Sequence, residues 1–184
     1  MTTMTIAIGD TSNLVDVLCA LRGNSGSQAG TSRMDSQMNH QLGVIGSKLI
    51  ALAQAQDVRI ETDKWNPVPF PVSGYVAWHK TEHSFKPWLI MIRGEYQKYP
   101  LYTLSVLAHE LGHVETWEER FSALFTCSYS ERYTEEFFEL LKATELNAWK
   151  WAKEFLDREG VWAEEFEQLA LEALRTHQIE VEMI

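Results

Sequence analysis

The sequence predicts an α+β fold in which a small antiparallel β-sheet packs against a bundle of helices. Apolar residues recur at helical spacing before residue 56 and after residue 99, whereas the segment between them alternates apolar and polar positions. Four of the five prolines lie in that middle segment, which is typical of short strands joined by turns. The 184 residues suit one domain with room for a short appendage.

The N-terminal part is predicted to be that appendage. Residues 13–22 (NLVDVLCALR) have the pattern of a short helix, and residues 23–32 form a connector rich in glycine and serine. We therefore divide the chain into an N-terminal unit of residues 1–36 and a single domain of residues 37–184.

The first half of the larger domain is expected to contain a helix and then the sheet. Met38–Ala55 carries apolar residues at helical spacing, and the alternation of Val58 and Ile60 indicates that a strand begins there. Residues 75–78 and 88–92 are predicted to be two further strands, joined by a polar turn.

The second half is predicted to be helical. Pro100 can open a helix, because the first helical position needs no backbone N–H. Thr134 can cap a second helix over residues 134–157, with acidic residues in its first turn. A last amphipathic, acidic helix should bury one face, made of Trp162, Phe166, Leu169 and Ala173.

The charge distribution limits the classes of molecule that the protein is expected to bind. The chain has a net charge of −10, and residues 109–184 hold seven basic and eighteen acidic residues. Because such a surface repels phosphate groups, we expect no direct binding to nucleic acid. The absence of a long apolar run argues against a membrane span, and the N-terminus does not have the pattern of a secretory signal.

The two cysteines, Cys19 and Cys127, are far apart in the sequence and form no CxxC motif. This usage excludes a disulfide framework or a cysteine-built zinc site, and it favours a cytoplasmic location. Cys127 is interpreted as an inert, buried thiol.

The segment LAHELGHVE, residues 107–115, contains the most informative motif, H-E-x-x-H. On a helix, His109 and His113 lie on one face and can bind the same metal ion. Glu110 lies beside the first ligand, where its carboxylate can take a proton from a water molecule. The motif therefore predicts a zinc site with Glu110 as its general base.

A catalytic zinc ion needs a third protein ligand. Glu119 stands where the longer metzincin motif would have its histidine, so the ligand must come from another element. Glu145 is the best candidate, because it falls on the apolar stripe of the helix over residues 134–157. A buried carboxylate is costly unless it is paired or binds a metal. A structural ion pair with a buried cation is the alternative. The other residues of the apolar stripe are Phe138, Leu141, Ala148, Trp149, Ala152 and Phe155.

Two weaker signals concern the same chemistry. His79 to His83 (HKTEH) matches the inverted zinc motif H-x-x-E-H, but it lies between two strands, so we interpret it as a hairpin loop. Tyr129 and Tyr133 lie in the connection between the two key helices, where a phenol could donate a hydrogen bond to a developing oxyanion.

These residues together resemble the ImmA/IrrE family of metallopeptidases. The resemblance covers about residues 40–156 and rests on the strand PWLIMIRG, the helix LSVLAHELGHVE and the pattern E-x-x-A-x-x-x-A from Glu145. It implies a zincin-like fold with His109, His113 and Glu145 as zinc ligands and Glu110 as the catalytic base. It also implies a zinc-dependent, gluzincin-like endopeptidase of bacteria, phages or mobile elements, and many such enzymes cleave a transcriptional repressor.

The function expected from the sequence is zinc-dependent hydrolysis of peptide bonds in a protein substrate. One alternative is a regulatory protein that keeps the metal fold but acts by binding and sequestering a protein partner. A zinc hydrolase with a non-peptide substrate would use the same residues. An intact Glu110 argues against the binding protein, since a module that only binds needs ligands but no base.

Overall fold

The computed structural model of the chain describes residues 33–63, 74–81, 85–93, 100–128, 131–161, 164–177, 179 and 181. This part of the chain is mostly helical and contains one three-stranded sheet. The helix and connector predicted for residues 13–32 lie outside it. In chain order, the helices and strands are α1 (Arg33–Ala55), β1 (Arg59–Asp63), β2 (Gly74–Lys80), β3 (Phe85–Arg93), α2 (Pro100–Glu115), α3 (Ala123–Thr126), α4 (Glu135–Arg158) and α5 (Glu164–Thr176).

The sheet is mixed, which corrects the prediction of an antiparallel sheet. Its strand order is β1-β3-β2. The hairpin partners β2 and β3 are antiparallel and pair Val76 with Ile90, whereas β1 is parallel to β3 and pairs Ile60 with Ile90. The alternation of side chains identifies a strand but contains no information on the direction of its neighbour, so the sequence could not show that β1 joins the far side of β3.

Helix α2 lies at the centre of the fold and contacts α1, α4, α5 and two strands of the sheet. Its residues Leu104, Leu107 and Leu111 are buried, as their spacing requires of one helical face. They belong to the same core as Ile45 of α1 and Ile90 of β3. The helix that carries the H-E-x-x-H motif is therefore held on several sides by packed apolar residues.

The helix boundaries largely agree with the sequence. Helix α2 begins at Pro100, and the hydroxyl oxygen of Thr134 caps α4 by accepting a hydrogen bond from the backbone N–H of Phe137, at 3.3 Å. Helix α1 begins at Arg33, five residues before the predicted start.

Two predicted apolar faces need correction. On α4 the buried stripe begins at Glu145, because the first turns of the helix extend past the core and Phe138 is 41% exposed. On α5 the buried residues are Phe166, Ala170, Leu171 and Leu174, and Leu169 and Ala173 are only partly buried. Trp162, which was assigned to that face, lies outside the described residues.

No helix in the described part of the chain combines the length and the apolar character that crossing a bilayer requires.

Candidate metal centre

Helix α2 presents His109, Glu110 and His113 to the interior of the molecule. Both His109 and Glu110 are buried, with 8% and 6% of their surface exposed. The Nε2 atoms of His109 and His113 lie 3.1 Å apart, and the two rings meet edge to face. The i and i+4 spacing thus brings two imidazole nitrogens to one point, as the sequence predicted.

Helix α4 brings Glu145 to the same point. Its Oε2 lies 3.3 Å from Nε2 of His109, and its Oε1 lies 3.6 Å from Nε2 of His113. Ligand atoms held about 2.0–2.1 Å from a tetrahedral zinc ion are about 3.3–3.4 Å from one another. The observed separations, 3.1 to 3.6 Å, bracket that value. The three side chains form a buried His-His-Glu group that could hold a metal ion.

The close approach of α2 and α4 depends on small residues at their crossing. A Cβ atom built on Gly112 would clash with the backbone of Ala148 and lie 2.9 Å from its Cα. Glycine at position 112, next to His113, and alanine at position 148, three residues after Glu145, therefore let the two backbones meet close to the candidate ligands.

The ligand side chains influence one another's protonation. Burial favours the neutral form of Glu145, but the neighbouring His113 and His109 outweigh it and lower the pKa of the carboxyl to about 2. Burial also acts against protonation of His109, but its hydrogen bond and attraction to Glu145 outweigh this and raise the pKa of the imidazole. The Glu145 carboxylate is thus ionised at neutral pH, as a metal ligand must be.

Burial has the largest effect on the pKa values of the other two residues of the motif, His113 and Glu110. Burial lowers the pKa of His113 to about 4, with the charge of His109 acting in the same direction, so its imidazole is neutral and can bind a metal. Burial raises the pKa of Glu110 to about 7, although the nearby His109 acts in the opposite direction. A carboxyl group with a pKa near neutrality is suited to accept and return a proton.

The His109 ring is oriented by packing. It stacks on the indole of Trp149 with ring centroids 4.2 Å apart. Its Nδ1 is buried and has no hydrogen-bond partner among the described residues. Metal-binding histidines usually fix this nitrogen with a hydrogen bond. Here the aromatic contact with α4 holds the ring with Nε2 facing the other ligands.

Two cavities of about 360 Å³ and 350 Å³ adjoin the His-His-Glu group. Both are lined by His109, Glu110 and Glu145, so the group can be reached from either side. Gly74, at the start of β2, also lines both cavities. A Cβ atom built on Gly74 would lie 3.0 Å from Oε1 of Glu110, so glycine here lets the strand pass directly beside the carboxylate.

The second cavity has an aromatic wall, formed by Trp78, Trp117 and Phe125. The rings of Trp78 and Trp117 lie 4.2 Å apart, and Phe125 lies within 6 Å of both. Phe125 is 46% exposed. An apolar surface therefore lies open next to the candidate metal ligands.

The structure describes only some of the remaining sequence candidates. Tyr129 lies outside the described residues, as does the side chain of Tyr133, which belongs to a short 3₁₀ helix. The Cys127 thiol is only partly buried and contacts the carbonyl of Leu124 at 3.5 Å. Glu115 is exposed and accepts a hydrogen bond from Gln56.

His79 belongs to strand β2 rather than to the turn that follows it. It is exposed, and its ring stacks on Trp88 of the neighbouring strand with centroids 4.9 Å apart. Glu82 and His83, the other two residues of the inverted motif, lie outside the described residues.

His177 was missed by the sequence reasoning. It lies just after α5, lines both cavities, and has its Nε2 atom 4.0 Å from Oε1 of Glu145. Nothing in the sequence pairs it with α2, because it is a single histidine more than sixty residues after the motif. Only the folding of α5 onto the core brings it to this place.

Comparison of the chain with protein-family models, with curated proteins and with solved structures gives no match.

Proposed function

We propose that this chain is a zinc-dependent hydrolase that cleaves peptide bonds in a protein substrate. The observation that carries the proposal is the convergence of His109, His113 and Glu145 next to a buried Glu110 that faces two cavities. Three ligands supplied by the protein leave a position for water or substrate, which is the arrangement of catalytic rather than structural zinc. The same arrangement of ligands supports the proposal that the fold is zincin-like.

In this proposal, Nε2 of His109, Nε2 of His113 and the carboxylate of Glu145 would hold the zinc ion. When bound, it supplies Lewis-acid polarisation of the scissile carbonyl and a lower pKa for water. Glu110 accepts the proton of the attacking water and returns it to the nitrogen of the departing amine. Its pKa of about 7 suits both transfers, because neither protonation state is strongly preferred at neutral pH.

A peptide substrate is favoured by the surroundings of the group. Strand β2 is at the edge of the described sheet, and its residues Gly74, Tyr75 and Val76 line the second cavity. An extended peptide could add to this edge through backbone hydrogen bonds and pass directly beside Glu110. The aromatic wall at the same cavity offers an apolar contact for a substrate side chain.

The resemblance in the sequence supports a narrower suggestion, that the substrate is a transcriptional repressor and that cleavage takes place in the cytoplasm. The rival function, sequestration of a protein partner, is favoured by one observation. The exposed residues of α4 and α5 include many carboxylates that could recognise a basic partner, and these are part of the negative charge of residues 109–184.

Glu110→Gln separates the two functions. The substitution keeps size and polarity but removes the base, so hydrolysis should fall by ~10²–10⁴-fold. The zinc-loaded protein is incubated with a library of peptides, and new termini are identified by mass spectrometry. Zinc content is measured on the same samples and should match wild type, and a cooperative melting curve shows that the variant is folded.

Glu115→Gln is the matched control, because it makes the same change at the exposed end of α2. It should retain wild-type hydrolysis. A zinc-loaded wild-type protein that cleaves no peptide, or a Glu110→Gln variant that cleaves as fast as wild type, would contradict the proposed function. Retention of partner binding by a protein that shows no hydrolysis would favour sequestration.

A further inference from the structure

His177 is held in a defined position beside the candidate metal ligands. Its backbone N–H donates a hydrogen bond to the carbonyl of Leu174 at 3.0 Å, and the N–H of Ile179 donates to the same carbonyl at 3.0 Å. Ile179 is 4% exposed and belongs to the hydrophobic core. The turn that carries His177 is therefore fixed on both sides, by α5 and by a buried residue.

The distance from His177 to the group excludes two simple roles. Its Nε2 lies 4.0 Å from Oε1 of Glu145, which is too long for a hydrogen bond that would orient that carboxylate. The ring also lies outside the set of three ligands, whose binding atoms are all within 4.8 Å of one another. His177 is thus beyond the ligand set but close enough to contact a molecule bound next to it.

The surroundings of His177 suit contact with a substrate. Its side chain is 39% exposed, whereas those of His109 and His113 are 11% and 13% exposed. It lines both cavities, as Glu110 does, so the two side chains border the same space. An imidazole has an N–H donor in each of its tautomers.

Hydrolysis of an amide is accelerated by such a donor in addition to the metal ion. When water adds to the carbonyl carbon, a C–O bond forms, the π electron pair moves to the carbonyl oxygen, and Glu110 takes the proton of the water. The oxygen then carries a negative charge until the C–N bond breaks and the amine leaves with that proton. A hydrogen bond aimed at this oxygen lowers the barrier, because the charge is present only during the reaction.

We propose that His177 is a further catalytic residue, whose ring N–H donates a hydrogen bond to the carbonyl oxygen of the bound substrate as that oxygen becomes negatively charged. This role rests on the proposed function. It assigns to the end of α5 the task that the sequence suggested for Tyr129 or Tyr133.

The test uses the full-length, zinc-loaded protein and its variants His177→Ala and His177→Gln. Loss of one such donor should lower kcat by ~10²–10³-fold and leave KM unchanged. Zinc content, measured by atomic emission, should stay at the wild-type value. The control is His79→Gln, an exposed histidine that lines neither cavity, and it should keep wild-type kinetics.

A second readout is independent of turnover. Isothermal titration calorimetry measures the affinity for a peptide phosphinate, whose tetrahedral, negatively charged group resembles the transition state. This affinity should fall in His177→Gln by about the factor lost from kcat. Affinity for the uncleaved substrate peptide, measured in a Glu110→Gln background, should not change, because the donor acts only on the charged oxygen.

The outcomes are separable. A variant at His177 that loses zinc would make His177 a ligand or a support for one, and equal losses of substrate and phosphinate affinity would make it a simple binding residue. Unchanged kinetics in an active enzyme would remove it from the reaction. Each result would overturn this inference alone, whereas a wild-type protein that hydrolyses no peptide would overturn the proposed function and this inference with it.

Discussion

The chain contains two motifs of two histidines and a glutamate, and the first histidines of the two motifs lie in different surroundings. In HELGH, residues 109–113, the helix brings two imidazoles within 3.1 Å of each other in a buried site. In HKTEH, residues 79–83, the first histidine lies on a strand, exposed and stacked on Trp88. Residue types alone therefore do not make a metal site. The backbone period must direct the side chains to one point, and a second element must complete the set.

The largest expected effect on zinc binding comes from removing one histidine from each motif. His113→Ala removes a ligand, so the affinity for zinc should fall too far for stable binding. The loss should exceed the ~10–100-fold that removal of an outer hydrogen-bond partner costs a metal site. His79→Ala should bind zinc as wild type does. Zinc affinity is measured by competition with a chelating dye. Equal zinc affinities in the two variants would mean that the helical motif is not the metal site.

Helix α4 completes the helical motif with Glu145, whereas among the described residues no such group forms around His79. Zinc at a thousandfold excess over its dissociation constant should stabilise the wild-type protein by ~4 kcal/mol and raise its melting temperature by about 10 °C. Glu145→Gln should lose most of this shift, because a metal stabilises a protein only through its affinity for the folded state. Melting curves with and without zinc provide the measurement.

The same curves separate a ligand from a structural ion pair. If Glu145 serves only to neutralise a buried cation, Glu145→Gln should lose several kcal/mol of stability with or without metal. A zinc-induced shift as large as that of wild type would remove Glu145 from the site. The search for a third ligand would then turn to His177, whose Nε2 lies 4.0 Å from Oε1 of Glu145.

Burial of the helical motif also predicts a pH dependence that an exposed motif would not show. The carboxyl of Glu110 ionises near its ordinary pKa of 4.5 in the unfolded chain and at about 7 in the folded one. The folded state binds more protons between these values, so the stabilising contribution is complete below pH 4.5 and is lost as the pH rises through 7. The loss amounts to roughly 3 kcal/mol.

Urea unfolding of the zinc-free protein at several pH values measures this effect. The difference between wild type and Glu110→Gln isolates the carboxyl from His113, whose lowered pKa acts in the opposite direction below pH 6.5. The wild-type protein should lose stability relative to the variant as the pH rises from 4.5 to above 7. A constant difference would show that Glu110 is not buried in a neutral form.

The smallest expected effect concerns the crossing of α2 and α4. Gly112→Ala places a methyl group against the backbone of Ala148, and overpacking of this kind costs about 1–3 kcal/mol. Because the crossing sets the distance from His113 to Glu145, zinc affinity should fall as well. Gly43→Ala, at a buried position of α1, is a comparison for the general effect of alanine in a helix. Unfolding and zinc titrations that give equal results for both variants would contradict a role for the close approach.

Much of the site could be predicted from the sequence because helical periodicity is local. The i and i+4 histidines and a carboxylate on an apolar stripe are visible without a structure, and the structure brings His109, His113 and Glu145 together. His177 could not be found in this way, since its position depends on how α5 packs on the core. The direction of β1 relative to β3 was missed for the same reason, because strand pairing is a long-range property.

The surface of α4 shows the limit of periodicity as a guide to burial. The apolar pattern of this helix continues from Glu145 back to Phe138, but the buried stripe ends at Glu145. Periodicity identifies the face of a helix that turns inward, whereas the length of that face that is covered depends on the size of the neighbouring elements.

The central claim is that His109, His113 and Glu145 hold one zinc ion, and diffraction at the zinc absorption edge tests it most directly. Crystals of the zinc-loaded protein should show one strong anomalous peak, about 2.0–2.2 Å from Nε2 of each histidine and from a carboxylate oxygen of Glu145. The peak should disappear when the data are collected below the edge. An anomalous peak elsewhere, or none at the three side chains in a protein that contains zinc, would contradict the account.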